Sequence, residues 1–259
     1  MKATILTYLS EQKEKKDSIE KIKNKLQSLN IKIVQDITQS DVIITIGGDG
    51  TIIRAAKYAV KYDKPIVTIN LGHIGFIAGI EIDELELLNN LVSGKYTETC
   101  HSMLDICIDT EKCHEKFFAL NEISITRHTY TNILDIDITS SDTTNIRYRA
   151  DGIILSTSTG STAYSMSAGG PIVDPNLDCI ILTPVCPHSL FSRSVVFGPK
   201  SKMNMAVSRC SHLSIDGQTH LEISQNDKIY VKLSDKSVRL INLKNRDFYQ
   251  IVIKKLSNL

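Results

Sequence analysis

Two hydrophobic periods alternate along the first part of the chain. Short β-branched runs are typical of strands buried in a parallel sheet, and apolar residues three or four positions apart are typical of amphipathic helices. Their alternation indicates a helix-covered parallel sheet. The predicted strands are Ala3–Leu9, Ile31–Val34, residues 42–46 and Pro65–Leu71, and the predicted helices carry Ile19, Ile22, Leu26 and Leu29, then Thr51–Val60, then Asp83–Val92, closed by Gly94.

A different pattern runs from about Met103 to Leu243. Its apolar segments are short and closely spaced, which predicts an antiparallel sandwich or similar sheet domain. The final segment, Asn245–Asn258, returns to helical spacing and is expected to dock elsewhere as a helix. The predicted strands are Leu104–Ile108, Phe117–Thr126, Ile133–Thr139, Gly152–Leu155, Cys179–Thr183 and Lys228–Leu233, with hairpin turns at Asn226–Asp227 and Ser234–Lys236.

The strand at residues 42–46 runs directly into Gly47, Gly48, Asp49 and Gly50. These glycines allow positive φ and a close backbone approach, so their N–H groups and the following helix N-terminus can face an anion such as phosphate. A carboxylate repels phosphate. Asp49 therefore suggests that the turn binds a metal, grips a hydroxyl or accepts a proton. The alternative is a plain connecting turn.

Two familiar phosphate motifs are excluded. The chain has no G-x-x-x-x-G-K-[ST] sequence, and the dinucleotide fingerprint fails because Ile53 occupies the position of its third glycine. A second glycine turn, Gly72–Phe76, follows the next strand and is expected to face the first. Phe76 is a candidate base contact, with a core position as the alternative.

A hydroxyl-rich segment, Ser156–Ser165, interrupts the β pattern. Its Ser and Thr side chains, with the N–H groups of a helix start over Ala163–Ala168, suit ribose, base edges and phosphate. Tyr164 could add a stacking face. A capping loop before a short helix is the alternative. A serine nucleophile is disfavoured because the segment lacks a G-x-S-x-G elbow.

Composition narrows the class of protein. The chain has 259 residues and a net charge of +1, which gives no electrostatic reason to expect nucleic acid or an anionic membrane as a partner. No apolar stretch is long enough to cross a bilayer, which predicts a soluble, cytoplasmic protein. The six cysteines include no C-x-x-C pair, so reduced thiols are expected. The Cys100–His101 and Cys113–His114 pairs fit no usual zinc spacing.

Taken together, the motifs resemble those of the NAD kinases. The glycine turn alone is also similar to lipid kinases and phosphofructokinases, but the further motifs occur in the order of the NAD kinase family and cover nearly the whole chain. They are Gly47–Thr51, Asn70–Phe76, Asn121–Glu122, Arg149–Gly152, Thr159–Ser165, Ala168–Pro171, Thr183–Pro184, Pro187–Leu190 and Ile215–Gln218.

The resemblance implies a fold of α/β plus all-β class: an N-terminal parallel-sheet domain and a C-terminal β-sandwich-like domain. The predicted boundaries are 1–98, with a returning segment 244–259, and 99–243. It also implies a homodimer or homotetramer whose sites can include residues from a neighbouring chain.

The implied activity is transfer of the γ-phosphoryl of ATP, or of a phosphoryl of polyphosphate, to the 2′-hydroxyl of the adenosine ribose of NAD. Mg²⁺ or Mn²⁺ is expected with the donor, and no side chain is assigned as a metal ligand. By resemblance Asp49 is the proton acceptor. The substrate-binding positions are Asp49, Gly50, Phe76, Asn121, Glu122, Arg149, Asp151, Thr162, Ala163, Tyr164, Ser165, Met166, Ser167 and Gln218.

The sequence disfavours two other functions. A related kinase acting on a lipid is disfavoured by the Thr159–Ser165 and Ile215–Gln218 motifs. A non-catalytic NAD-binding sensor is disfavoured by Asp49, because a sensor needs no proton acceptor in a phosphate turn.

Overall fold

The computed structural model describes residues 1–7, 13–72, 75–77, 79–110, 114–129, 132–140, 144–188, 192–245 and 247–257, without the side chains of 13–15 and 144. The chain divides into two compact units, Met1–His101 with Val238–Leu259, and Ser102–Ser237. The domain boundaries at 98/99 and 243/244 stay a prediction.

The first unit is built on a parallel sheet. Strand order is β2-β1-β3-β4, and β4 pairs in parallel with β5 and with the last residues of β17. The elements are β1 (Lys2–Thr7), α1 (Lys13–Ser28), β2 (Lys32–Ile33), β3 (Val42–Ile46), α2 (Asp49–Tyr62), β4 (Ile66–Asn70), β5 (Ile80–Glu81) and α3 (Leu88–Ser93), with 3₁₀ turns at Ile37–Gln39 and Ile82–Leu87.

The apolar residues that define the predicted helices and strands of the first unit are buried. Ile22 and Leu26 of α1 are fully buried, and every residue of β3 and β4 is buried. Such continuous burial is expected of strands covered on both faces. Gly94 ends α3 in the left-handed conformation. The predicted strand at the N-terminus is found only to Thr7, since residues 8 and 9 lie outside the described residues.

The second unit contains two antiparallel sheets around one core. Its elements are β6 (Thr97–Asp109), β7 (His114–Ala119), β8 (Glu122–Arg127), β9 (Leu134–Ser140), β10 (Thr144–Ala150), β11 (Gly152–Ser156), α4 (Tyr164–Ser167), β12 (Ile180–Val185), β13 (Val195–Phe197), β14 (Lys202–Val207), β15 (Ser211–Ile215), β16 (Thr219–Ile223) and β17 (Lys228–Asn242), with a 3₁₀ turn at Thr159–Thr162; β6 begins and β17 ends in the first unit.

Both sheets supply the core of the second unit. One sheet has the order β13-β12-β11-β8-β15-β16, and the other contains β10-β9-β14 and the start of β17, with β6 paired to β7. Buried Ile123 and Ile125 of β8 share one cluster with Ile136 and Ile138 of β9. The predicted antiparallel sheet domain is confirmed.

Three local predictions for this region are wrong. The segment Phe117–Thr126 is two strands in different sheets, β7 and β8, which separate at Leu120–Asn121. Ser234–Lys236 is no hairpin turn, because β17 continues through it to buried Val238 and Leu240. A turn is found at Asn226–Asp227, but it is not the predicted hairpin, because it joins β16 and β17, which belong to different sheets.

The terminal segment forms the predicted helix, α5 (Phe248–Leu256), capped by the Asp247 side chain. Within the residues that the structure describes, no helix is long and apolar enough to cross a membrane. The cysteines in the described part of the chain are free thiols, and Cys113 lies outside that part.

Candidate active site

The first glycine turn lies at the carboxyl end of β3. Gly47 has φ +150°, and a Cβ there would lie 2.2 Å from Thr51 Oγ1, so only glycine fits without a shift. Its N–H donates to the carbonyl of Ile69 at 2.9 Å. The prediction that all three glycine amides face a ligand is therefore wrong for Gly47, whose amide belongs to the β3–β4 pairing.

Helix α2 begins at Asp49, two residues earlier than predicted, after Gly48 as N-cap. Among the described residues, a Cβ at Gly48 or Gly50 would meet nothing within 4 Å. The first N–H groups of an α-helix have no partner within the helix and carry the positive end of its dipole. Open space beside these amides is suited to an anion such as phosphate.

The Asp49 carboxylate is held by the second glycine turn. Oδ2 accepts the Phe76 N–H at 2.8 Å, and Oδ1 accepts the Ile77 N–H at 3.2 Å. A Cβ on Gly75 would lie 2.0 Å from Asp49 Oδ1, so the approach requires glycine. The expectation that the two turns face each other is confirmed. Carboxylate oxygens have more than one acceptor direction, so Asp49 can accept a substrate hydroxyl as well.

The ring of Phe76 is half-buried beside this carboxylate. Lys255 of α5 places its Nζ 4.1 Å from the ring centroid, a cation–π distance. Within the described residues, Phe76 is outside the hydrophobic cluster of the first unit. The core alternative for Phe76 is therefore disfavoured, and its contact with a base stays a prediction.

In the second unit, Asp216 shapes the step between β7 and β8. Its Oδ2 accepts the Leu120 N–H at 2.8 Å, and its Oδ1 accepts the Asn121 and Glu122 N–H groups at 2.8 and 3.1 Å. These bonds take three consecutive amides away from strand pairing. The predicted continuous strand breaks there, and the Asn121 and Glu122 side chains are buried at the break.

Glu122 is a buried carboxyl group with an unsatisfied oxygen. Burial raises its pKa to about 7, the negative charge of Asp216 adds to the rise, and a hydrogen bond from the Tyr164 N–H opposes it. Among the described residues, buried Glu122 Oε2, Asn121 Oδ1 and Ser156 Oγ have no hydrogen-bond partner. Ser156 lies directly opposite Glu122 in the β8–β11 pairing. Asn121, Glu122 and Ser156 define a buried polar corner with hydrogen-bonding capacity that the described residues do not satisfy.

The hydroxyl-rich segment packs against the same corner. Gly160 approaches so closely that a Cβ would lie 2.2 Å from the Asn121 carbonyl oxygen, and Thr157 donates its hydroxyl to Leu120 O at 2.6 Å. Within the predicted binding run, Thr162 and Ser165 are buried, Ala163 and Met166 are half-buried, and Tyr164 and Ser167 are exposed. Ser165 Oγ shares a hydrogen bond of 2.9 Å with Thr183.

The structure does not bring every predicted residue to this corner. Gln218 belongs to the β15–β16 turn that contains Asp216. Asp151 instead precedes β11, at the end opposite Ser156. The two residues are five positions apart, about 17 Å at 3.3 Å per residue. The Asp151 carboxylate pairs with Arg127 at 3.1 Å, and Arg149 is exposed nearby on β10.

Asp216 and Gly75 were missing from the predicted site residues. Asp216 and Gly217 both have positive φ, +51° and +62°, between two paired strands. Asp-Gly between strands is a strong hairpin signal, so the turn itself was readable from the sequence. What the sequence does not show is where the Asp216 carboxylate points, because its partners are about 95 positions away.

Sequence comparisons match both parts of the chain. The profile of the ATP-NAD kinase N-terminal domain matches residues 3–96, and that of the C-terminal domain matches residues 120–243. The NAD kinase of Thermoanaerobacter sp. (strain X514) is 38% identical over 227 residues, 85% of this chain and 80% of that protein. The NAD kinase of Clostridium botulinum (strain Kyoto / Type A2) is 39% identical over 221 residues, 84% of this chain and 78% of that protein.

Solved structures share the fold. Yeast NADH kinase complexed with NADH has a TM-score of 0.87 and 22% identity, over 100% of this chain and 88% of that one. An NAD kinase from Archaeoglobus fulgidus in complex with ATP has a TM-score of 0.81 and 23% identity, over 100% of both chains. At these identities the likeness is one of fold.

Proposed function

The chain belongs to the NAD kinase family and is an NAD kinase, and we propose that Asp49 is the residue that activates the acceptor hydroxyl. The proposed reaction moves the terminal phosphoryl group of ATP, or of polyphosphate, to the 2′-hydroxyl of the adenosine ribose of NAD. The observation that carries the assignment is the Asp49 carboxylate, fixed by two amides at the start of α2.

The chemical step needs only a weak base. A carboxylate cannot hold a ribose alkoxide in the ground state. In a loose phosphoryl-transfer transition state, however, the hydroxyl keeps its proton until late. The ribose oxygen bonds to phosphorus as the bond from phosphorus to the leaving oxygen breaks. The electron pair leaves with ADP or the shortened polyphosphate, and the proton passes to Asp49.

The donor phosphates are proposed to lie against the start of α2. The Cβ positions of Gly48 and Gly50 are open among the described residues, which leaves room for an anion. The amides of the first turn would bind its oxygens, apart from that of Thr51, which already donates to the Gly48 carbonyl at 2.9 Å. Mg²⁺ or Mn²⁺, when bound with the donor, would neutralise phosphate charge. No side chain is assigned as a ligand of this ion, and donor phosphate oxygens and water are proposed to coordinate it.

The dinucleotide is proposed to bind the second unit. The unpartnered Asn121 Oδ1 and Glu122 Oε2 support this assignment, because buried acceptors call for donors and NAD carries ribose hydroxyls and an amide. The exposed Tyr164 ring and Gln218 are proposed as further contacts beside this corner. The complexes of the two structural relatives, with NADH and with ATP, support the choice of ligands.

Arg149 and Asp151 are proposed to meet the dinucleotide away from that corner. Their position at the other end of β11 agrees with a site completed by a neighbouring chain, in a cytoplasmic homodimer or homotetramer. We expect one oligomeric species by light scattering. Arg149→Ala would then raise the KM for NAD without changing the mass.

The test of the reaction is NADP formation by the purified protein with ATP or polyphosphate, with and without Mg²⁺. Asp49→Asn is expected to lower kcat about 10²- to 10⁴-fold, the usual contribution of a general base. Calorimetric titration is expected to show NAD binding unchanged. Asp17→Asn, a matched change at an exposed position of α1, should keep full activity.

The other outcomes separate the alternatives. An Asp49→Asn protein with near-normal turnover would remove the base assignment. NAD binding without NADP formation from either donor would indicate a sensor. Absence of both turnover and NAD binding would direct the search to lipid acceptors.

A further inference from the structure

Three metal-ligating side chains meet on the surface of the second unit, outside the residues assigned above. His128 follows β8, His212 lies in β15 and Glu222 lies in β16, and all three are exposed. One nitrogen or oxygen from each lies within 4.8 Å of the other two. We propose that His128, His212 and Glu222 bind a divalent transition-metal ion of the Zn²⁺ type.

Strand register explains why the three side chains meet. His212 lies opposite Thr126 of β8 and opposite Glu222 of β16. Directly opposed residues of antiparallel strands project from the same face of the sheet. His128 is two residues past Thr126 and returns to that face, where its ring centroid lies 4.4 Å from that of His212. Strands β15 and β16 and the residue that follows the end of β8 therefore bring the three side chains together on one face of the sheet.

The donor set suits zinc and its neighbours. Two imidazoles and one carboxylate are the protein ligands of many zinc sites, with water in the fourth position. Ligand atoms around tetrahedral zinc are about 3.4 Å apart, given bonds of about 2.0–2.1 Å. His128 Nδ1 and Glu222 Oε1 are 3.9 Å apart, and their side chains are 43% and 67% exposed, so small rotations can close the gap.

A simpler account must be separated from metal binding. The simpler account is that the His128–Glu222 contact is a surface ion pair. Such a pair contributes little to folding stability and does not involve His212. A second cluster could also capture an added ion, since Cys107 Sγ lies 3.3 Å from His114 Nε2 and Asp109 is adjacent. Measurements should therefore use a Cys107→Ser, His114→Asn background.

The experiment is Zn²⁺ titration by calorimetry of the full chain without a polyhistidine tag, followed by Co²⁺ absorption spectroscopy. One ion should bind in the micromolar range, with the visible bands of Co²⁺ bound to nitrogen. His212→Asn and His128→Asn should each weaken binding at least about tenfold, the scale seen even for outer-shell changes. Zn²⁺ should raise the melting temperature of the background protein and not that of either histidine variant.

Two results would overturn the assignment. One is the absence of micromolar Zn²⁺ binding by the background protein, and the other is equal affinity in the His212→Asn variant. Phosphorylation of NAD, measured with Mg²⁺ and without Zn²⁺, should be unchanged in both histidine variants. That control also shows that the substitutions leave the fold intact.

Discussion

Replacing Glu122 by Gln is expected to stabilise the protein at high pH while weakening NAD binding. Burial, with a smaller contribution from the Asp216 charge, raises the pKa of Glu122 from 4.5 to about 7. The folded state thus binds this proton more tightly than the unfolded state, so the Glu122 contribution to stability is lost as pH rises from 4.5 to 7. Glutamine carries no charge and removes this dependence.

The magnitude follows from the two pKa values. At about 1.4 kcal/mol per pH unit, the ionised Glu122 costs roughly 3 kcal/mol of unfolding free energy at pH 8, and less than about 1 kcal/mol at pH 5. The stability of Glu122→Gln relative to the wild type should therefore improve by about 2 kcal/mol between pH 5 and pH 8. Asp216 titrates in both proteins, so its contribution largely cancels.

The assay is urea denaturation of both proteins across this pH range, with NAD affinity measured on the same samples. A hydrogen bond to a charged group contributes about 1.5–3 kcal/mol. Loss of the charged acceptor should therefore weaken NAD binding about 10- to 100-fold at pH 8. A stability difference between the two proteins that stays constant from pH 5 to pH 8 would refute the assignment of a buried, high-pKa carboxyl group.

Two further substitutions test the contacts that position the residues of the candidate site. Asp216→Asn places an amide against three backbone N–H groups, so we expect a loss of about 1–3 kcal/mol in unfolding free energy and a higher KM for NAD, measured by urea denaturation and kinetics. Gly75→Ala forces the Asp49 carboxylate aside and should lower kcat about 100-fold or more. Gly72→Ala is its control, because a Cβ there meets nothing within 4 Å among the described residues; equal activity of the two variants would contradict the reasoning.

The sequence predicted the first unit closely because its signals are local. Continuous β-branched runs such as Val42–Ile46 can be buried only inside a covered sheet, and Gly47 must follow because a Cβ would strike Thr51. The local pattern at Asp49 indicates a metal, hydroxyl or proton-accepting role, and the choice of proton acceptor comes from the resemblance to the NAD kinases. The two amide donors to Asp49 could not be predicted, because they belong to a turn that folds back from 27 and 28 positions away.

The failures in the second unit share one physical cause. Phe117–Thr126 has the composition of a continuous strand, yet the distant Asp216 carboxylate captures three of its amides. Ser234–Lys236 has turn-forming residues, yet burial of Val238 and Leu240 carries β17 through it. In each case a tertiary interaction outweighs the local preference.

The corner at Glu122 is better explained by a ligand than by the fold. Asn121, Glu122 and Ser156 each bury a polar atom that has no partner among the described residues, and Glu122 also carries a buried charge at neutral pH and above. Each unsatisfied atom costs free energy that an apolar residue would avoid. One Glu122 oxygen accepts the Tyr164 N–H, but the other, Oε2, has no donor among the described residues. The dinucleotide that we propose to bind at this corner would supply donors for these atoms.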